Sequence, residues 1–251
     1  MIGKPYEYEA MATCEKDLWW YKCLHDNTLQ AIQRHRVSPD KMILDAGCGT
    51  GGLLKKLISK GYKNLHGFDL SEDALQFASA STGLDLKLYD IQQAAAYYEP
   101  NTFDVIVSHD IVCLLPEGKD VIAIDQLFRI LKPGGLLIIN LPALNAFRGT
   151  HDLAVGITKR YNRSKVQNLV APHGKIESII YWPFILSLPV YLTRLWQRTT
   201  MTSKKDQSFV SDVKMPAKVL NQLFYKISHL ESAVFKNKPW GSSLFTVIKK
   251  H

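Results

Sequence analysis

No C-x-x-C pair occurs in this sequence: its four cysteines, Cys14, Cys23, Cys48 and Cys113, are scattered. That spacing offers neither a zinc site nor a disulfide framework, so no metal is expected. Unpaired thiols fit a reducing, cytoplasmic compartment. Residues 1–17 hold no apolar core of signal-peptide length, so secretion is not expected. Acids are scarce beyond residue 147, where 5 Asp and Glu face 17 Lys and Arg; residues 1–147 carry 18 against 14. The basic part could face nucleic acid, an anionic membrane or an acidic substrate, or be only a solvated surface. Internal repeats and low-complexity segments are also missing. What remains is a 251-residue chain, 46% hydrophobic, which is enough to bury one large core.

Along the chain, apolar residues at helical spacing predict a helix over 8–35. "MILDAG", "LHGFDLS", "DLKLYDI", "FDVIVSHD" and "LLIINLP" read as five strands, and helices fall between them. Ser71 is placed to cap one of these helices, Gly61 to close another, and "KPGG" to stop the helix before the fifth strand. Such alternation implies an α/β fold, a mostly parallel sheet with helices on both faces. After Pro142 the rhythm changes. A loop-like stretch leads to a helix at "SKVQNLVAPHG", a strand at "KIESIIYW", and an apolar run over 179–197 with a basic tail. A strong helix follows, with Val219, Leu220, Leu223, Phe224 and Ile227 as its apolar face, and then a last strand, "SLFTVIKK".

The stretch "ILDAGCGTGG" carries the chemistry. Gly47, Gly49 and Gly52 fit G-x-G-x-x-G, a turn that lets a nucleotide lie against backbone. Asp45 stands two residues before the first glycine, where its charge would oppose a pyrophosphate. An acid suits a ligand with a cation at that point, and S-adenosylmethionine (SAM) carries an ammonium and a sulfonium and no phosphate. Asp69, at the end of the second strand, suits a ribose in either nucleotide family. "ILDAGCGTGG" resembles motif I of the class I SAM-dependent methyltransferases, "GFDLS" their acidic motif after the second strand, and "YDI" their adenine-side motif. "FDVIVSHDIVCLL" and "LFRILKPGGLLIINLP" are similar to their fourth-strand and fifth-strand signatures. The resemblance covers about residues 40–142. It implies a doubly wound seven-stranded sheet with an antiparallel last strand, "KIESIIYW" and "SLFTVIKK" supplying the final two strands. It also implies a C-terminal helical lid, SAM as cofactor and S-adenosylhomocysteine as product.

The expected cofactor contacts are Asp45, Gly47, Cys48, Gly49, Gly51, Asp69, Leu70, Asp90, Ile91 and Ser108, with Trp20 beside Trp19 as an aromatic lid and Lys22 near the methionine carboxylate. Methyl transfer from a sulfonium asks the protein mainly to position the nucleophile, so catalytic groups can be few. A base is needed only for an acceptor that must lose a proton. His109, at the carboxyl end of the fourth strand, and His151, in the loop past the fifth, are the candidates. Outside the core, "EKDLWWYKCLH" and "HDLAVGITKRYNRSKVQNLV" resemble segments of one subgroup of that family, whose pattern after the fifth strand is H-D-x-x-x-G-H-x-R-R-Y-T. Three departures stand out: Ile157 replaces the second His, Asn162 replaces the Thr, and Val112 and Cys113 stand where a Glu-His pair is common.

The whole chain reads as one methyltransferase domain: a helical cap over 1–37, a SAM-binding core over 38–147, and an acceptor side over 148–251. The basic cluster 158–165 and the apolar 179–197 segment are expected at the acceptor mouth; the latter also suits peripheral membrane contact. Neither N-P-P-Y nor a cytosine-methylating Cys pair follows the fourth strand, which favours a small-molecule acceptor, O- or N-directed and of natural-product or lipid-like kind, over nucleic acid. RNA or protein methylation by the basic half, or a SAM-binding module without chemistry, are the alternatives. An NAD-dependent dehydrogenase is opposed by Asp45 and "LKPGG". The sequence suits a monomer or a homodimer.

Overall fold

Two helices open the chain in the computed structural model, which describes residues 5–200, 215–235 and 237–251. They are α1 (Pro5–Cys14) and α2 (Trp19–Arg34). The single helix expected over 8–35 is therefore broken at 15–18. Leu18 is extended at the start of α2, and Glu15 turns away to bond Thr50.

The core then alternates: β1 (Ile43–Ala46), α3 (Gly52–Ser59), β2 (Leu65–Asp69), α4 (Glu72–Thr82), β3 (Lys87–Leu88), α5 (Ala94–Tyr97), β4 (Phe103–His109), α6 (Lys119–Ile130) and β5 (Leu131–Pro142). Local chemistry sets several boundaries. The Ser71 hydroxyl accepts from the Ala74 N–H, and Glu72 and Asp73 sit in the first turn of α4, where the helix dipole favours anions. "KPGG" ends α6, as expected, but is drawn into the start of β5. β1 is buried along its whole length, the pattern of a parallel strand covered on both faces.

The remaining elements are α7 (Thr150–Val155), α8 (Arg163–Val170), β6 (Gly174–Trp182), α9 (Ser187–Thr200), α10 (Lys218–Val234) and β7 (Ser243–Lys250). The seven strands run in the order β3-β2-β1-β4-β5-β7-β6, and β7 lies antiparallel to both neighbours. Two apolar clusters sandwich the sheet. One includes Ile124, Leu127 and Val166; the other includes Leu24, Leu54 and Ala78. After β3 the chain crosses back to place β4 on the other side of β1. The carboxyl ends of β1 and β4 thus flank the crevice where ligands bind in open α/β sheets.

α10 departs from expectation. Val219 is 80% exposed and Leu223 49%, whereas Ser228 and Glu231 are buried. Tertiary contacts choose the face: Asn221 accepts the Trp19 N–H at 2.9 Å, the Tyr225 hydroxyl donates to Asp26 at 2.8 Å, and Glu231 accepts the N–H groups of Phe184 and Ile185.

Candidate functional site

The glycine turn after β1 is held in the left-handed region. Gly47 has φ +85° and Gly49 φ +51°, which favour glycine. A Cβ on Gly47 would come within 2.2 Å of the Ile111 side chain. The Gly49 N–H donates to Asp69 Oδ2 at 2.9 Å, and the other Asp69 oxygen accepts the Ser71 N–H at 3.0 Å. β2 and the turn are thereby locked together.

Three carboxylates meet here. Asp45 and Asp69 are buried at the ends of their strands, and Glu15 is buried beside the start of α3. Glu15 accepts hydrogen bonds from the Thr50 hydroxyl and the Gly52 backbone. Burial pushes its carboxyl up to about 7, against those two bonds. Asp45 is raised well above the usual carboxylate range, first by burial and then by the charges of Glu15 and Asp69. Asp69 is raised by burial as well. Desolvation and like charge both act against ionisation, so this site gains from a bound cation. A phosphate would add a fourth negative group.

At the end of β4, Thr28 Oγ1 lies 3.0 Å from His109 Nε2 and also donates to the Leu24 carbonyl. With the hydroxyl proton on the Leu24 carbonyl, His109 would donate through Nε2–H and keep a lone pair on Nδ1; the roles in this bond follow the tautomer. Desolvation, with the stacked His25 ring second, holds His109 well below the usual histidine range. Next to it, Asp110 takes φ +55° and accepts from Asn140 Nδ2 at 2.8 Å. Asn140 in turn accepts from the Trp182 ring N–H at 2.8 Å. Desolvation pushes the Asp110 carboxyl up to about 7, against the Asn140 bond and the Arg160 charge.

Glu15, Asp45, Asp69, His109 and Asp110 border one cavity of about 820 Å³. Its lining includes Asp45, Gly47, Cys48, Gly49, Asp69, Trp20, His109 and His151 from the sequence reading. Trp20 stacks on Trp182 with ring centroids 5.5 Å apart. Other expected contacts lie outside this lining. Gly51 packs on Ala78, Leu70 is exposed, Asp90 caps a turn through the Gln92 N–H, and Ile91 is buried in the core. The Ser108 hydroxyl donates to the Ala46 carbonyl inside the sheet. Lys22 sits over the Tyr225 ring, 4.6 Å from its centroid, and is not among the residues lining the cavity.

The 158–165 cluster is mostly structural. Lys159 pairs with Asp120, Lys165 Nζ donates to the Arg160 carbonyl, and Arg163 stacks on Tyr181. Only Arg160 of this group reaches the cavity. It grips Asp152 through two bonds, 2.7 and 3.1 Å, and also donates to the Ala143 carbonyl. Asp152 further accepts the Gly149 N–H, which caps α7 and turns His151 to the cavity lining. Val190 and Arg194 of the 179–197 segment form part of the wall.

Sequence reasoning missed Glu15, Asp110, Arg160 and Arg194 as individual site residues. Asp110 was legible by position, an acid one residue past a strand's carboxyl end. Glu15 carried no local signal, since only the turn between α1 and α2 brings it to the glycines.

A doubly wound sheet of this order, with acids around its glycine turn, defines a class: Rossmann-like enzymes that hold a cationic nucleoside. Comparison narrows it. Residues 43–135 match the family model described as a methyltransferase domain. The chain is 30% identical over 165 residues to the ubiquinone biosynthesis O-methyltransferase of Methylococcus capsulatus, covering 54% of this chain and 68% of that protein. An uncharacterised Haemophilus influenzae protein is 34% identical over 107 residues, with 40% of this chain and 42% of that protein matched. The N-methyltransferase NodS of Bradyrhizobium japonicum, solved with S-adenosylhomocysteine, has the same fold, with TM-score 0.58 at 14% identity over 94% of this chain and 90% of that one. The chain belongs to the class I SAM-dependent methyltransferases. SAM is its cofactor, and the glycine turn with its surrounding carboxylates fits that cation.

Proposed function

We propose that the protein transfers the methyl group of SAM to an oxygen or nitrogen nucleophile of a small, largely apolar acceptor. In this reading 1–251 is one domain with a helical cap, a SAM-binding core and an acceptor side. Asp45, Glu15 and Asp69 would hold the cationic and ribose parts of the cofactor against Gly47 and Gly49. SAM supplies an activated methyl group; the protein supplies position and dryness.

The observation that carries the reading is the cavity's mixed lining. Three carboxylates, His109 and Asp110 share it with Trp19, Phe147, Val155 and Val190. Its size, about 820 Å³, lies near the top of the roughly 300–1,000 Å³ usual for ligand sites. That suits a cofactor with a second molecule beside it.

Two groups stand where an acceptor proton could go. Asp110, raised to about 7, is matched to proton abstraction near neutrality. His109, held low, favours accepting a hydrogen bond at Nδ1 over keeping a proton. His151, on α7, is the third candidate and lines the same cavity. Ubiquinone biosynthesis in the Methylococcus relative and N-methylation in NodS are consistent with either nucleophile.

Incubation with methyl-labelled SAM and a panel of phenols, catechols and amines tests the proposal. Label in an organic-extractable product is the expected outcome. Label confined to precipitated RNA or protein in a cell extract would overturn the small-molecule reading.

A further inference from the structure

α9 and α10 are built inside out. On α9, Arg194 and Ser187 are buried and Val190 lines the cavity, while Leu188, Leu192 and Leu195 are exposed. On α10, Ser228 and Glu231 are buried, while Val219, Leu223, Leu230 and Val234 are exposed. A surface helix of a water-soluble domain normally shows the opposite arrangement. The two apolar faces are linked, because Glu231 of α10 accepts the N–H groups of Phe184 and Ile185 that lead into α9, and the Phe184 and Phe235 rings lie 5.4 Å apart. Exposed apolar rows of this extent mark a contact surface.

Charge selects what covers them. On the described residues of α9 and α10, Lys218 and Lys226 are exposed, whereas Arg194 and the acid Glu231 are buried. A second copy would bring one basic face against another, whereas an anionic bilayer would attract it. No helix among the described residues is long and apolar enough to cross a membrane, so contact is in the plane of the interface.

We propose that the exposed faces of α9 and α10 dock on the surface of an anionic phospholipid bilayer, and that the acceptor is an amphipathic, lipid-like molecule taken from it. The second clause rests on the small-molecule reading above. Position supports it: Val190 of α9 and Pro216, just before α10, both line the cavity, so a molecule leaving the bilayer meets the cavity wall directly.

Vesicle flotation of the full chain tests the surface. Phosphatidylcholine vesicles with and without phosphatidylglycerol are compared, at low and high salt. The wild type is expected to float with the anionic vesicles and to release in high salt. The double variant Leu192→Glu, Leu223→Glu, with both sites exposed, should lose about tenfold or more in partitioning. Circular dichroism and SAM calorimetry confirm that it remains folded and binds cofactor. Lys218→Glu with Lys226→Glu should reduce the preference for anionic vesicles. The proposal is overturned if the wild type stays unbound with both vesicle types, or if the Leu variant floats equally well. It is also overturned if light scattering finds a dimer that the Leu variant splits. Loss of SAM binding or of label transfer would sink the enzymatic reading alone, since flotation needs neither.

Discussion

Asp69 does two jobs with one carboxylate. Its oxygens already accept from the Gly49 and Ser71 N–H groups, and it lines the cavity where a ribose is expected. Asp69→Ala should weaken SAM by about 2–4 kcal/mol, through loss of a charge-assisted contact and of the bond that holds the glycine turn. Calorimetry checks this, and a loss below about 0.5 kcal/mol would remove Asp69 from the cofactor site. Asp110 belongs to the acceptor side. Asp110→Asn should keep the Asn140 network near its present shape and lower kcat by roughly 10²–10⁴, with SAM affinity nearly unchanged. His151→Ala gives the contrast: a fall in kcat of that size would make His151 the base, and a rise in KM alone would make it a positioning group.

Among the elements, the segment between β5 and α8 depends on one buried ion pair. Asp152 and Arg160 are 0% and 6% exposed, and the pair ties α7 to Ala143, just past the end of β5. Asp152→Ala would strand the Arg160 charge and leave the Gly149 N–H without its cap, a cost of about 3–5 kcal/mol. Chemical denaturation measures it, and a loss under about 1 kcal/mol would show the segment to be held by other contacts. The same segment shows why sequence pattern misled. The basic cluster 158–165 reads as a gripping surface, but Lys159 and Arg160 are spent on Asp120 and Asp152, which lie far off in sequence or behind a turn. α10 misled in the opposite way: Val219, Leu220 and Leu223 of its apolar row face outward, Phe224 packs edge-on against Trp19, and its acid, Glu231, is buried.

For the whole molecule, buried acids make stability fall with pH over part of the range. Glu15 rises from 4.5 to about 7 on folding. Between those values the folded protein holds a proton that the unfolded chain has lost, so this stabilisation is full below pH 4.5 and gone above pH 7. Glu15→Gln should therefore be close to wild type in thermal stability at pH 5 and more stable at pH 8, by on the order of 2–3 kcal/mol. Equal differences at both values would show that Glu15 ionises freely. The same linkage acts on the cofactor. A cation favours the ionised forms of Glu15, Asp45 and Asp69, so the rise in melting temperature caused by SAM should be larger at pH 8 than at pH 5.5.

The α/β class, the glycine turn, Asp45, Asp69 and the helix caps were determined by sequence alone, because each rests on local backbone geometry or on neighbours within a few residues. Ser71 can cap α4 wherever that helix lies, and a glycine at φ +85° is needed wherever the turn is made. Tertiary structure alone decided the rest. It put Glu15 on the start of α3, where it shares a charge problem with Asp45. It brought Arg160 back to Asp152, and it turned the apolar rows of α9 and α10 to the outside. Those outcomes depend on partners distant in the chain, whose desolvation and hydrogen bonds outweigh the pattern of any single segment.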